Sequence, residues 1–183
     1  MNELNTLLTS DQSSEHTEFW KKTLDSIGGD FRLRPNWHSY ALQADETIEH
    51  EFALDGATSD FIEELSRGKD IGVFVIVLAG VSQLIRIYSG SQTVLVDSPL
   101  LKVSGEGSGY NDAVPLVIEI QDERSVRTHL DGVRNAVSGS YTYQDFPIEG
   151  VAKVLLRRKA RPSWVTPIAV TYRVRCSGTL VSV

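Results

Sequence analysis

The apolar residues of this chain recur at two spacings, one typical of helices and the other typical of strands. The helical spacing predicts five helices, at residues 15–26, 60–67, 71–88, 123–141 and 148–156. Alternating or short continuous apolar runs predict four strands, at residues 47–54, 93–97, 114–120 and 165–174. Helices interleaved with strands in this way predict an α/β fold in which helices cover a mixed sheet.

Local signals predict where these helices begin. Side chains that can accept hydrogen bonds from a first helical turn precede three of them: Ser13 or Ser14, Thr58 or Ser59, and Asp70. The helix at 71–88 is apolar almost all round, which predicts a central position in the core. A glycine inside a helix costs about 1 kcal/mol relative to alanine, so Gly80 is expected to admit a closely packed neighbour.

The composition is ordinary for a globular protein of 183 residues and predicts one domain with a substantial core. Residues 1–14 are polar and are predicted to be a flexible leader to a domain at 15–183. The net charge of -6 disfavours nucleic acid as a partner, because nucleic-acid binding favours a positive surface. The apolar segment 71–88 carries Gln83 and Arg86, which favours a core helix over a membrane span.

Cysteine usage and the first residues bear on location. Cys176 is the only cysteine, so neither a disulfide framework nor a cysteine metal cluster can form within one chain. The first residues lack the apolar run of a secretion signal. These observations together predict a cytoplasmic protein.

A polar run closes the helix at 123–141. The helix has one apolar stripe, made of Val126, Leu130, Val133, Val137 and Tyr141. Pro147 cannot lie inside a helix, so the chain must turn there before a new helix begins. Asp145 can cap the new helix, and Glu149 adds negative charge near the positive end of its dipole. Local structure thus explains both carboxylates.

This helix and the run Gln144-Asp145-Phe146-Pro147-Ile148-Glu149 resemble a hallmark of the C-terminal half of nonribosomal peptide synthetase condensation domains. Further segments follow the order of that family: Phe19-Trp20 with Leu24, Phe74 and Leu78 with Tyr88-Ser89-Gly90, Val94-Leu95-Val96 with Ser98-Pro99, Gly109 with Val114-Pro115-Leu116, and Ser163 with Pro167-Ile168. The resemblance extends from about Phe19 to Tyr172.

The resemblance implies a single lobe of a chloramphenicol acetyltransferase-like fold. Condensation domains have two such α/β lobes with a tunnel between them, which thioesters on two carrier proteins enter from opposite sides. A histidine of a His-His-x-x-x-Asp-Gly motif helps the acceptor amine to attack. No cofactor of the chain itself is implied, but the phosphopantetheine arm of a partner carrier protein is.

The chain departs from this family at the residues that carry the chemistry. Its histidines, His16, His38, His50 and His129, are never adjacent, and the Asp-Gly after His129 has the wrong spacing. The Asn-Thr of the family's tunnel strand is Asp112-Ala113. No catalytic residue is therefore assigned. The histidines are interpreted as structural, and no metal-ligand spacing is present.

Two sets of residues remain as candidates for a site. By resemblance, Gln144, Asp145, Pro147 and Glu149 belong to a substrate tunnel or to a structural motif. A basic loop could contact a carrier protein, whose surface is usually acidic, or the phosphate of its pantetheine arm: Arg157, Arg158, Lys159 and Arg161. An ordinary solvated turn is the alternative for this loop.

Three functions are open at this point. The first is a degenerate, partial condensation domain that serves as a structural or docking platform for a neighbouring adenylation or carrier domain. The second is half of a split condensation enzyme, which completes an amide-forming tunnel with a separate histidine-bearing lobe. The third is an α/β binding protein with a coincidental resemblance. A lone lobe is expected to expose an apolar face, and hence to self-associate or to contact a neighbouring domain.

Overall fold

A computed structural model of the protein describes residues 11–27, 51–101, 113–121, 125–148, 168–175 and 178–182. These ranges contain helices α1 (Asp11–Asp25), α2 (Gly56–Ser66), α3 (Asp70–Ser89) and α4 (Val126–Thr142), and strands β1 (Thr93–Ser98), β2 (Val114–Glu119), β3 (Thr171–Arg175) and β4 (Gly178–Ser182). The predicted strand at 47–54 is not confirmed, because residues 51–54 are neither helix nor strand and the rest lies outside the described residues. Ile148, the first residue of the helix predicted at 148–156, is helical. The rest of that helix lies outside the described residues.

Strand β1 pairs on both of its edges. Along one edge it runs antiparallel to β2, with Thr93 opposite Glu119 and Ser98 opposite Val114. On the other edge the N–H of Asp97 donates to the carbonyl of Ile168 at 3.0 Å, and the N–H of Val170 donates to the carbonyl of Asp97 at 2.8 Å. This second pairing is a parallel bridge, so the predicted mixed sheet is confirmed. Strands β3 and β4 form a separate antiparallel pair.

The core lies between the β1–β2 sheet and the helices. Helix α4 packs on β2 and on α3, and α3 also packs on β1 and α2. The largest side chains that are fully enclosed come from α1, α3, β2 and the residue that follows β2: Trp20, Leu78, Leu116, Ile118 and Ile120. Burial of such side chains stabilises each by roughly 1.5–3 kcal/mol relative to exposure.

Helix α3 packs on α2, α4 and β1, as a central helix does, but it is buried on one face only although its sequence is apolar almost all round. Its buried side chains include Phe74, Leu78 and Ile85. Its opposite face exposes three apolar side chains, which we call the α3 face: Leu84, Ile87 and Tyr88. Within the described residues, α3 is the helix with the length and hydropathy of a membrane span, and 28% of its apolar stretch is buried inside the protein.

The helix starts differ from those predicted. Helix α1 begins at Asp11, ahead of both predicted serine caps. Helix α2 is capped by Asp55, whose Oδ1 accepts a hydrogen bond from the Thr58 N–H at 2.8 Å. This bond and a second from the Thr58 hydroxyl lower the pKa of Asp55. Asp70 lies in the first turn of α3, one residue after the N-cap. Thr58 and Asp70 do not act as caps because they already lie inside the first helical turns. A capping oxygen belongs to a residue that lies two or three positions before the N–H from which it accepts.

The close helix contact predicted at Gly80 is found at another glycine. Gly80 is exposed, and a Cβ placed there would have no atom within 4 Å. A Cβ at Gly139 in α4 would lie 2.9 Å from Cε2 of Phe19 in α1. The ring of Phe19 is held by Tyr143, whose ring centroid is 4.5 Å away. Gly139 therefore allows α1 to approach α4.

We expect Gly139→Ala to lower the free energy of unfolding by about 1 kcal/mol, since overpacking typically costs 1–3 kcal/mol and alanine regains up to about 1 kcal/mol of helix propensity. Gly132 is the matched control, because it lies in the same helix with no atom within 4 Å of an added Cβ. Gly132→Ala should raise the free energy of unfolding by about 0.5–1 kcal/mol. Urea unfolding measures both, and equal effects would contradict this account of Gly139.

Candidate functional site

The turn that follows α4 is joined to the end of β1 by a buried amide. Gln144 is 4% exposed although it lies in a turn. Its Oε1 accepts a hydrogen bond from the N–H of Leu101 at 3.0 Å. Although Leu101 itself is 60% exposed, the buried amide of Gln144 needs a partner, and this bond joins the turn to the segment after β1. Gln144 thus has a structural role, and its contact with a substrate tunnel remains a prediction.

A second hydrogen bond joins the same two elements. The hydroxyls of Ser98, at the end of β1, and Tyr141, at the end of α4, are 2.7 Å apart. Ser98 is 2% exposed, so this pair is largely shielded from water. Burial raises the pKa of the Tyr141 phenol above 10.0, and the bond to Ser98 partly opposes that rise. Two hydrogen bonds therefore hold the end of α4 to the sheet.

Helix α1 supports the turn from its other side. The indole N–H of the fully buried Trp20 donates to the carbonyl of Tyr143 at 3.0 Å. The hydroxyl of Tyr143 donates to Oε1 of Glu15 at 2.7 Å, and this bond raises the pKa of Tyr143. His16 presents its ring edge-on to Tyr143 and to Phe146, at centroid distances of 4.9 and 5.8 Å. The turn thus rests on aromatic and polar side chains of α1 through Tyr143 and Phe146.

A surface cleft lies between α1 and the turn. Its volume is about 450 Å³, and its lining consists of Ser14, Glu15, Glu18, Phe19, Lys22 and Tyr143. The rings of Phe19 and Tyr143 are inclined to each other by 34° and form an apolar wall. Sequence reasoning missed this cleft because Glu15 and Tyr143 are 128 residues apart, and neither belongs to a recognisable motif.

The remaining candidates have different outcomes. Asp145 is exposed and Pro147 is buried just before Ile148, as a turn at the proline requires. The cap provided by Asp145 stays a prediction, because Glu149 and the residues after it lie outside the described ranges. Other candidates that lie outside them are the four basic loop residues Arg157, Arg158, Lys159 and Arg161, together with His38, His50 and Cys176.

His129 joins two helices. Its Nε2 lies 3.2 Å from the hydroxyl of Ser82 and 3.2 Å from the carbonyl of Ala79, both in α3. Because a carbonyl oxygen only accepts, Nε2 must carry a hydrogen. Ser82 also donates to that carbonyl at 2.8 Å, so its hydroxyl is directed to the backbone. The pair is a structural contact, and the described ranges contain no group of three His, Cys, Asp or Glu residues that could hold a metal ion.

The half-buried Tyr141 phenol gives the protein a pH dependence. Because its pKa in the folded state is raised, the folded state holds its proton more tightly than the unfolded chain. The resulting stabilisation is complete below the unfolded pKa near 10.0 and is lost as the pH rises through the folded pKa. Tyr141→Phe should therefore lose less stability than the unaltered protein above this pH. Urea unfolding across alkaline pH tests this, and equal slopes would contradict it.

Comparison with solved structures identifies the fold. The chain superimposes on the first condensation domain of the calcium-dependent antibiotic synthetase, solved in complex with substrate analogue 2a, with a TM-score of 0.52 and 13% identity. The match covers 92% of this chain and 38% of that one. The fold is therefore that of part of a condensation domain, and the α/β lobe implied by the sequence resemblance is confirmed.

Sequence comparison finds relatives of this chain among nonribosomal peptide synthetases. A linear gramicidin synthase from Brevibacillus parabrevis is 25% identical over 146 residues, which is 74% of this chain. A surfactin synthase from Bacillus subtilis is 22% identical over 147 residues, which is 78% of this chain. The chain spans 3% and 4% of the length of these two proteins. No protein-family model matches it. Its homologues are segments of such synthetases, as the resemblance predicted.

Proposed function

We propose that this chain is a degenerate condensation-type lobe that acts as a docking platform in nonribosomal peptide synthesis, without performing amide formation itself. The observation that carries the proposal is the contrast between scaffold and chemistry. The turn after α4 keeps hydrogen bonds to β1 and to α1, through Gln144 and Trp20. The sequence of 183 residues, however, contains no adjacent pair of histidines. A general base must lie within hydrogen-bond reach of its proton, so catalysis would need groups from elsewhere.

The α3 face is the surface proposed for docking. Leu84, Ile87 and Tyr88 are 56%, 69% and 65% exposed and lie at the helical spacing that forms one continuous surface. Exposed apolar patches of this kind mark interaction sites. The occupant that we propose is an adjacent adenylation domain, because the curated relatives are large synthetases in which the matching segment is a few per cent of the chain.

The test uses the purified chain and adenylation domains of nonribosomal peptide synthetases from the same genome. Isothermal titration should show binding that falls at least about tenfold in the double variant Leu84→Glu and Ile87→Glu, because a buried unpaired charge is costly. Val126→Glu is the control, since Val126 is 77% exposed at the start of α4 and does not belong to the α3 face. Absence of binding, or equal binding by the double variant, would overturn the proposed docking surface. Sedimentation of the chain alone tests self-association through the same face.

A second candidate function is half of a split condensation enzyme. The observation behind it is that the match covers 38% of that condensation domain, so a tunnel of that kind would need a second lobe. In this case a histidine-bearing lobe would complete the tunnel, and the basic loop at Arg157, Arg158, Lys159 and Arg161 would contact the carrier protein or its phosphopantetheine phosphate.

Mixing the chain with such a lobe and two loaded carrier proteins separates the two functions. Amide formation that requires both lobes would support the split enzyme, and formation that is unchanged without this chain would exclude it. Amide formation by this chain alone would overturn both proposals. Binding of the adenylation domain without any contribution to amide formation would support the docking platform.

A further inference from the structure

The cleft between α1 and the turn combines aromatic and acidic surfaces. Phe19 and Tyr143 supply the aromatic wall, and Glu15 and Glu18 supply two carboxylates at its rim. Glu15 and Glu18 are three residues apart in α1, which places them on one side of the helix. With Lys22 as the one cation in the lining, the cleft carries a net negative charge. Its volume of about 450 Å³ is large enough for a single extended side chain.

The acidic rim is partly fixed in position. The hydroxyl of Tyr143 donates to one oxygen of Glu15 at 2.7 Å, so that carboxylate is held beside the aromatic wall. The other oxygen of Glu15 can still accept, and a carboxylate has about four acceptor positions. Among the described residues, neither Glu18 nor Lys22 has an ion-pair partner, although the two lie one helical turn apart. The cleft therefore places carboxylate acceptors beside aromatic rings, and Lys22, the cation in its lining, is not ion-paired with them.

We propose that this cleft binds an arginine side chain from a segment of a partner protein. A guanidinium is planar and always charged, stacks on aromatic faces, and presents several donors to carboxylates. Aromatic rings beside carboxylates allow a guanidinium to stack and to donate hydrogen bonds at the same time. The ammonium of a lysine is more strongly hydrated and gains less from the rings. This site lies on α1 and the turn after α4. Arginine binding there does not depend on whether the α3 face docks a partner.

The test compares two capped tripeptides that differ in one side chain, which is arginine or its neutral analogue citrulline. Acetyl-Gly-Arg-Gly-amide should shift the NMR signals of the Trp20 indole N–H and of the amides near Glu15, Glu18 and Lys22, and it should bind with a dissociation constant on the order of millimolar. The citrulline peptide keeps the shape but is neutral, and it should bind at least about fivefold more weakly.

Charge variants give effects of opposite sign. Glu18→Gln should weaken binding of the arginine peptide by about two- to fivefold, and Lys22→Gln should strengthen it by a similar factor. Glu63→Gln is the control for net charge, because Glu63 is exposed on α2. Equal binding of the citrulline peptide would overturn the proposal. So would an equal effect of Glu63→Gln and Glu18→Gln, or signal shifts confined to residues away from the cleft.

Discussion

Leu78→Ala will lower the free energy of unfolding by about 3–5 kcal/mol, because Leu78 is fully enclosed and its truncation leaves a cavity that the core cannot fill completely. Leu78 lies on the face of α3 that packs against the rest of the core. Losses of this size reflect the lost transfer of apolar atoms from water together with the cavity itself. Equilibrium urea unfolding, followed by circular dichroism, measures the loss.

Leu84→Ala is the matched control on the same helix. Leu84 is 56% exposed, so the same substitution should change the free energy of unfolding by less than about 0.5 kcal/mol. Similar losses for the two variants would mean that α3 is enclosed on all sides, as its sequence alone predicts. If the α3 face is the docking surface, Leu84→Ala should weaken binding of the adenylation domain while it leaves the chain folded.

The second large effect is expected at the buried amide. Gln144→Leu should lower the free energy of unfolding by about 1–1.5 kcal/mol, because the hydrogen bond between the buried amide and the N–H of Leu101 is lost, and Leu101 is exposed enough for water to replace it in part. Gln121→Leu is the control, since Gln121 is exposed beyond the end of β2 and should change stability by less than about 0.5 kcal/mol. Urea unfolding again provides the measurement.

The same variant distinguishes a structural role of Gln144 in the turn from contact of Gln144 with a substrate tunnel. If it acts through the turn, Gln144→Leu should broaden or shift the NMR signals of Leu101 and Ser98 at the end of β1. A variant with unaltered stability and unaltered signals there would leave substrate contact as the explanation for this residue. The structure supports the first outcome, because the amide oxygen already accepts a backbone hydrogen bond within the protein.

The aromatic turn and the α3 face have different consequences for function. The turn is bonded to β1 and α1 on two sides, so it contributes chiefly to the rigidity of the lobe. The α3 face makes no comparable contacts through its exposed side chains within the described residues, and it is therefore the surface on which a partner can gain apolar burial. The cleft on α1 adds a separate, charged site. Variants at these three places should affect stability, apolar docking and arginine binding independently.

The amino-acid sequence by itself determined the main elements of the fold. The spacing of apolar residues correctly predicted α3, β1, β2 and α4, because helices and buried strands impose different periods on the residues that face a core. The order of short motifs from Phe19 onward correctly predicted a condensation-type fold. These signals are local, or depend on order along the chain, and both are visible without coordinates.

The tertiary structure alone decided which faces and side chains meet. The sequence of α3 is apolar almost all round, so only its packing on β1 and α4 shows that Leu84, Ile87 and Tyr88 remain exposed. Likewise Gly139 and Phe19 are far apart in sequence, and their contact depends on how α1 lies on α4. Such contacts could not be predicted because hydrophobicity specifies that a side chain favours burial, but not which partner buries it.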